Sequence, residues 1–101
     1  MANPYRPLKT AERNITGALT LDTTHRTVFV DATVGAVTVT LPTAATGEGY
    51  EFHIKKTDVS VNAVTIDGNG SETIDDATTQ VLRDQYACLT IQSDGTEWFI
   101  L

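Results

Sequence analysis

Asp67, Asn69 and Ser71 stand at alternate positions, the spacing at which a calcium loop presents its oxygen ligands, and Gly70 and Glu72 strengthen the likeness. The likeness fails further along. An EF-hand places a glycine at its sixth position and a bidentate glutamate at its twelfth, and counting from Asp67 those positions hold Glu72 and Thr78. The segment Asp67-Gly68-Asn69-Gly70-Ser71 therefore reads as a turn in which Gly and Asn take positive φ. His25 and His53 fall on different expected elements, and neither has a second histidine at ligand spacing. Two isolated imidazoles do not make a metal site.

Nucleophilic catalysis needs a hydroxyl or thiol against a base that a third group orients. Ser60, Ser71 and Ser93 could each be matched with a histidine, but none lies in a strand–turn–helix elbow. Asp75-Asp76 and the pair Glu48 and Glu51 are the densest carboxylates, and glycoside hydrolysis uses two carboxylates at a set separation. Both groups adjoin turns and read as solvated surface. Cys88 is the only cysteine, which excludes an intrachain disulfide and a cysteine-based zinc site; its expected place is a strand, as a small buried hydrophobe. No glycine-rich loop leads into a helix that could hold phosphate. The reading expects no enzyme, no metal and no cofactor. Asn14-Ile15-Thr16 and Asn69-Gly70-Ser71 match the glycosylation pattern, but Met1-Ala2-Asn3-Pro4 does not begin a secretory leader, so synthesis in a cytoplasm is expected.

The net charge of −6 conceals an asymmetry. Residues 1–13 carry Arg6, Lys9 and Arg13 against Glu12, whereas the remainder carries four cations against twelve acids. An acidic body repels phosphate, and three cations without interleaved aromatics form a poor nucleic-acid surface. No apolar run approaches the roughly 20 residues that span a bilayer. Neither nucleic acid nor membrane is an expected partner.

The elements that would position these residues are short strands. Eighteen threonines and one methionine, with valine and isoleucine in period-2 alternation, suit pleated half-buried surfaces rather than helices. Nine strands are expected: 18–21, 27–31, 36–41, 50–56, 63–67, 72–74, 79–82, 87–92 and 97–101. That number in so short a chain implies an all-β fold, a small antiparallel β-sandwich or barrel, formed by residues 14–101. Pro4 and Pro7 make residues 1–13 an extended N-terminal arm. The recurring Val-Thr-Val and Val-Thr-Ile phrases are taken as strand composition, without a repeat architecture.

The closing residues stand apart from the rest. Ala87, Leu89 and Ile91 alternate with Cys88, Thr90 and Gln92, and Ser93-Asp94-Gly95-Thr96 supplies a turn whose Asp-Gly suits a two-residue hairpin loop. In the returning strand Trp98 and Ile100 share one side and Phe99 and Leu101 the other, so both faces are apolar. Phe29, opposed to Val28 and Val30, is a similar outlier. Phe29, Trp98, Phe99 and Leu101 are the residues expected to be buried within or between subunits.

The phrases Ala36-Val37-Thr38-Val39-Thr40-Leu41-Pro42, Val64-Thr65-Ile66, Glu72-Thr73-Ile74 and Leu89-Thr90-Ile91-Gln92-Ser93-Asp94-Gly95-Thr96-Glu97-Trp98-Phe99-Ile100 occur in an order that resembles the small β-modules of tailed-bacteriophage structural proteins. Such modules occur in tail fibres, head fibres and capsid decoration proteins, and the resemblance covers residues 16–101. It implies a structural virion component on the capsid exterior, a homotrimer without catalytic residues, whose partners are its own copies and the major capsid protein. The short N-terminal arm favours a decoration protein over a fibre module. Tyr5, Arg6, Leu8 and Lys9 are then the expected capsid contacts. The alternative is a receptor- or carbohydrate-binding module using Tyr50, Asn62, Asn69 and Asp94; a carboxylate hydrolase using Asp75 or Glu48 is a third.

Overall fold

The computed structural model of the chain describes residues 12–101. Among them are nine strands and no helix: β1 (Glu12–Ile15), β2 (Leu19–Thr20), β3 (Thr27–Val30), β4 (Val37–Thr40), β5 (Glu51–Lys56), β6 (Val64–Asp67), β7 (Thr79–Leu82), β8 (Cys88–Ser93) and β9 (Trp98–Ile100). Two sheets face each other, one in the order β1-β3-β5-β8-β9 and the other β2-β4-β6-β7. The all-β expectation holds.

The expected antiparallel arrangement does not. β1 with β3, β3 with β5, β2 with β4 and β4 with β6 all pair in parallel, and only the β5–β8, β6–β7 and β8–β9 pairs are antiparallel. From β1 to β6 the chain changes sheet after every strand, so each strand returns beside its predecessor in the same sense. The result is a short coil of stacked turns, closed by antiparallel strands. The recurring phrases are these turns: Val37-Thr38-Val39 lies in register with Val64-Thr65-Ile66. Alternation within a strand reports which face is buried and nothing about the direction of its neighbour.

Two element boundaries also differ from expectation. Glu12 and Arg13 belong to β1, a polar edge strand in which only Ile15 is even half-buried. Residues 72–74 form no strand; Ile74 makes single bridges to Ala77 and Trp98 around a tight turn in which Asp75 and Asp76 take φ of 50° and 68°. That turn satisfies its own ends, Ile74 and Ala77 exchanging backbone hydrogen bonds of 2.7 and 3.2 Å.

The core lies between the sheets. Val28, Val30, Phe52, Ile54, Ile91 and Trp98 project from one side to meet Val37, Val39, Val64, Ile66 and Leu82 from the other. Each such side chain contributes roughly 1.5–3 kcal/mol on burial. Phe52 and Trp98 meet with ring centroids 5.6 Å apart at 45°. Gly47 lies against the far edge of the indole, where a Cβ would stand 3.0 Å from Cη2; the glycine makes room for the ring.

The parallel coil sorts the connections into two ends. Residues 16–18, 31–36, 57–63 and 83–87 turn at one end, and residues 21–26, 41–50, 68–78 and 94–97 at the other.

Candidate functional site

The outer face of the larger sheet can be laid out from its register. Glu51, Gln92 and Phe99 form one row across it; Glu12, Thr27, His53 and Thr90 form a second, which Leu101 extends through its N–H to the Thr90 carbonyl (2.9 Å); Asn14, Phe29, Lys55 and Cys88 form a third. The inner side of β9 is filled by Trp98, fully buried, and by half-buried Ile100. Phe99 and Leu101 face outward and remain 44% and 65% exposed. The two-faced closing strand is thus present, with one face used by its own core and the other left to solvent.

The free edge of β9 is already occupied. Trp98 donates its N–H to the Thr73 carbonyl (3.0 Å) and accepts from the Asp75 N–H (3.1 Å), and the Asp75 carboxylate accepts from the Ile100 N–H (3.0 Å). An edge so bonded cannot template another strand. The positive φ at Asp75 has this consequence: it aims the carboxylate back at the sheet. A further copy could meet β9 through its outer face and not through its edge.

Phe29 is half-buried on the same face but does not join Phe99 and Leu101. β5 and β8 intervene, three strand spacings or about 14 Å. Tyr5, Arg6, Leu8 and Lys9 lie outside the described residues.

The same face carries a relay that sequence reading missed. His53 Nε2 stands 3.0 Å from Glu51 Oε2, and His53 Nδ1 stands 3.0 Å from Thr90 Oγ1. Carboxylate, imidazole and hydroxyl follow the order of a hydrolase triad, with threonine where only serines had been weighed. The signal was available: Glu51 and His53 are two apart on one face of a strand. A tetrahedral intermediate needs preorganised donors beside the hydroxyl, and β8 lies between β5 and β9, so its backbone N–H groups are consumed in the ladders. No cavity opens beside it among the described residues. The relay acts as a cross-strand polar tie.

The remaining chemical candidates disperse. His25 Nδ1 accepts from the Asp22 N–H (3.0 Å), and no group of three metal-ligating side chains occurs among the described residues. Ser93 donates to the Ala44 carbonyl (2.6 Å), and the Ser60 hydroxyl donates to the Asp58 carboxylate. Cys88 is exposed, because its parity on β8 puts it on the outer face with Thr90 and Gln92; the expected buried role is corrected. In the closing loop only Gly95 takes positive φ, and four residues rather than two join Ser93 to Trp98. Asp94 instead accepts from the Thr96 and Glu97 N–H groups at 2.9 Å, and those backbone bonds lower its carboxyl from the ordinary value. In the 67–71 turn Gly70 takes positive φ and Asn69 donates to the Leu41 carbonyl (3.2 Å). Tyr50, Asn69 and Asp94 gather at one end of the sandwich while Asn62 lies at the other, bonded to the Ala32 carbonyl (2.8 Å).

Comparison with protein-family models, curated proteins and solved structures finds no match to this chain.

One further group was not anticipated. Lys56 continues the inward row of Phe52 and Ile54 and is fully buried. Its ammonium donates to Asp58 Oδ2 (2.8 Å), to the Asp58 and Ser60 carbonyls (3.2 and 2.9 Å) and to Ser60 Oγ (3.4 Å). Asp58 also accepts from the Ala32 and Ser60 N–H groups (2.8 and 3.0 Å) and from the Ser60 hydroxyl. Burial acts to raise the Asp58 carboxyl, but Lys56, the Ser60 hydroxyl and these N–H groups overcome it and hold the carboxyl well below its ordinary range. Every oxygen and proton has a partner, as a buried ion pair requires. The network ties residues 57–62 to residues 32–33 of the preceding turn. Parity alone would have found it: position 56 falls on the inward face.

Proposed function

We propose that this protein is a structural component of a tailed-phage particle, a capsid decoration protein that sits on the outer head surface as a homotrimer. The observation that supports this most is the outward pair Phe99 and Leu101 on a strand whose edge is already bonded. Fully burying two such side chains contributes roughly 1.5–3 kcal/mol each, and the occupied edge confines the contact to sheet faces. A cyclic trimer buries the pair in every copy and leaves no unsatisfied patch to propagate. Three copies held together also raise the effective concentration of each contact with the shell, so shallow individual contacts give firm attachment. The ordered motifs from residues 36–42 to the Ser-Asp-Gly-Thr turn and Trp98 supply the phage assignment.

The test is co-sedimentation with purified undecorated phage heads. The protein is expected in the pellet at saturating stoichiometry and displaced by its own unlabelled form. Absence from the pellet, with binding to host cells or glycans instead, would replace decoration by adhesion.

A further inference from the structure

Val34, Val59 and Val61 are 87%, 77% and 88% exposed, more than any other large apolar side chains described. All three lie in connections at the same end of the sandwich. The turns that carry them are bound together: Asn62 donates to the Ala32 and Thr33 carbonyls (2.8 and 3.4 Å), and Ala32 and Ser60 both bond Asp58. Beneath them sits the buried Lys56–Asp58 pair. Tyr86 stands at the rim, 61% exposed, its ring centroid 5.5 Å from the Lys55 ammonium. Loops braced in this way lose little freedom on docking, which is the principal cost such contacts carry.

Charge separates this end from the other. Among the described residues, Lys55, Lys56 and Arg83 stand with Asp31, Asp58 and Asp84 at this end, a net of zero, whereas the connections at the opposite end set Arg26 against seven carboxylates, a net of −6. A near-neutral apolar tip on an acidic body is repelled by anionic lipid and nucleic acid and fits an uncharged apolar surface. Three valines and a tyrosine offer on the order of 400 Å². Two copies meeting tip to tip would bury less than the roughly 1,200 Å² of a stable two-body interface, which disfavours a second copy as the occupant.

We infer that the valine-bearing end is the face that docks into an uncharged apolar depression on the shell subunit of the particle, with Val34, Val59 and Val61 as its anchors. The inference rests on the decoration reading and adds the contact surface to it. Three copies in a trimer present three such tips, and small footprints then suffice.

The test compares the full protein with V34S/V59S/V61S. The three positions are exposed, so thermal midpoint and solution mass are expected to stay unchanged while the fraction pelleting with undecorated heads falls at least tenfold. Asp76→Lys, at the opposite end, is expected to leave pelleting unchanged. Undiminished pelleting of the triple variant would overturn the inference and leave the decoration reading standing. Failure of the unaltered protein to pellet would overturn both. A lowered solution mass of the triple variant would make the end a self-contact, and flotation of the unaltered protein with phosphatidylcholine vesicles would make it a lipid contact; either overturns the inference.

Discussion

The two ends of the sandwich are built from the same stacked turns and differ in what holds them. At the valine-bearing end a buried ammonium and carboxylate, with Ser60 and Asn62, tie neighbouring turns together. At the acidic end the loops are joined without a buried ion pair: Glu72 accepts from the Ala44 N–H (2.9 Å), Asn69 donates to the Leu41 carbonyl (3.2 Å) and Glu97 accepts from the Thr73 hydroxyl (3.0 Å), beside local devices such as the Asx turn at Asp94 and the positive φ values at Asp75 and Asp76. The apolar end carries its exposed side chains on one integrated base. The acidic end is cross-linked by carboxylates, Glu72 to Ala44, Glu97 to Thr73 and Asp75 to Ile100, with no buried lysine or arginine beneath it among the described residues. The buried ion pair and the most exposed apolar side chains coincide at one end.

Lys56→Met sharpens the contrast most. It fills the same space but strands Asp58 as an unpaired buried carboxylate, and breaking such a pair costs about 3–5 kcal/mol. Urea unfolding should show that loss, and adding Asp58→Asn should recover part of it. An unchanged midpoint would mean that the base of the valine end is not load-carrying.

Acid provides the next test. The native Asp58 carboxyl lies below its ordinary value of 3.8, so its contribution is fully present above that value and is lost as pH falls from there toward the native one. The thermal midpoint should therefore decline below about pH 4, and Asp58→Asn should flatten that decline. A midpoint curve identical in the variant would remove Asp58 from the acid response.

At the acidic end the expected effect is smaller. A Cβ at Gly68 would collide with the Glu72 backbone carbonyl, so Gly68→Ala should cost about 1–3 kcal/mol. Hydrogen exchange should speed up in residues 68–78 and stay unchanged in residues 57–63. Equal acceleration at both ends would dissolve the distinction between them.

Much of the fold was legible because β-strand parity is a local property. Trp98 opposed to Phe99 and Leu101, Val28 and Val30 opposed to Phe29, and Leu89 and Ile91 on one side all follow from period-2 alternation. Strand direction was not legible, because it depends on where the chain goes between strands: Val37-Thr38-Val39 reads alike whether Val64-Thr65-Ile66 lies parallel or antiparallel to it. β1 escaped notice because Glu12-Arg13-Asn14 buries almost nothing and so carries no apolar period. Residues 72–74 read as a strand on composition, but the Asp75-Asp76 turn and its bonds to Trp98 and Ile100 redirect them to cap β9. At the candidate surfaces the two apolar faces of the closing strand were visible in advance, but not which of them its own core would take. The gathering of Val34, Val59 and Val61 was not, since it follows only from the stacking of turns.

The measurement that bears most directly on the account is the solution mass of the protein beside that of F99S/L101S, by light scattering at micromolar concentration. The account predicts a mass near three chains for the protein and near one for the double variant, with the same β-sheet circular dichroism spectrum and a lower thermal midpoint for the variant. A monodisperse single chain for the unaltered protein, or a trimer that survives both substitutions, would contradict it.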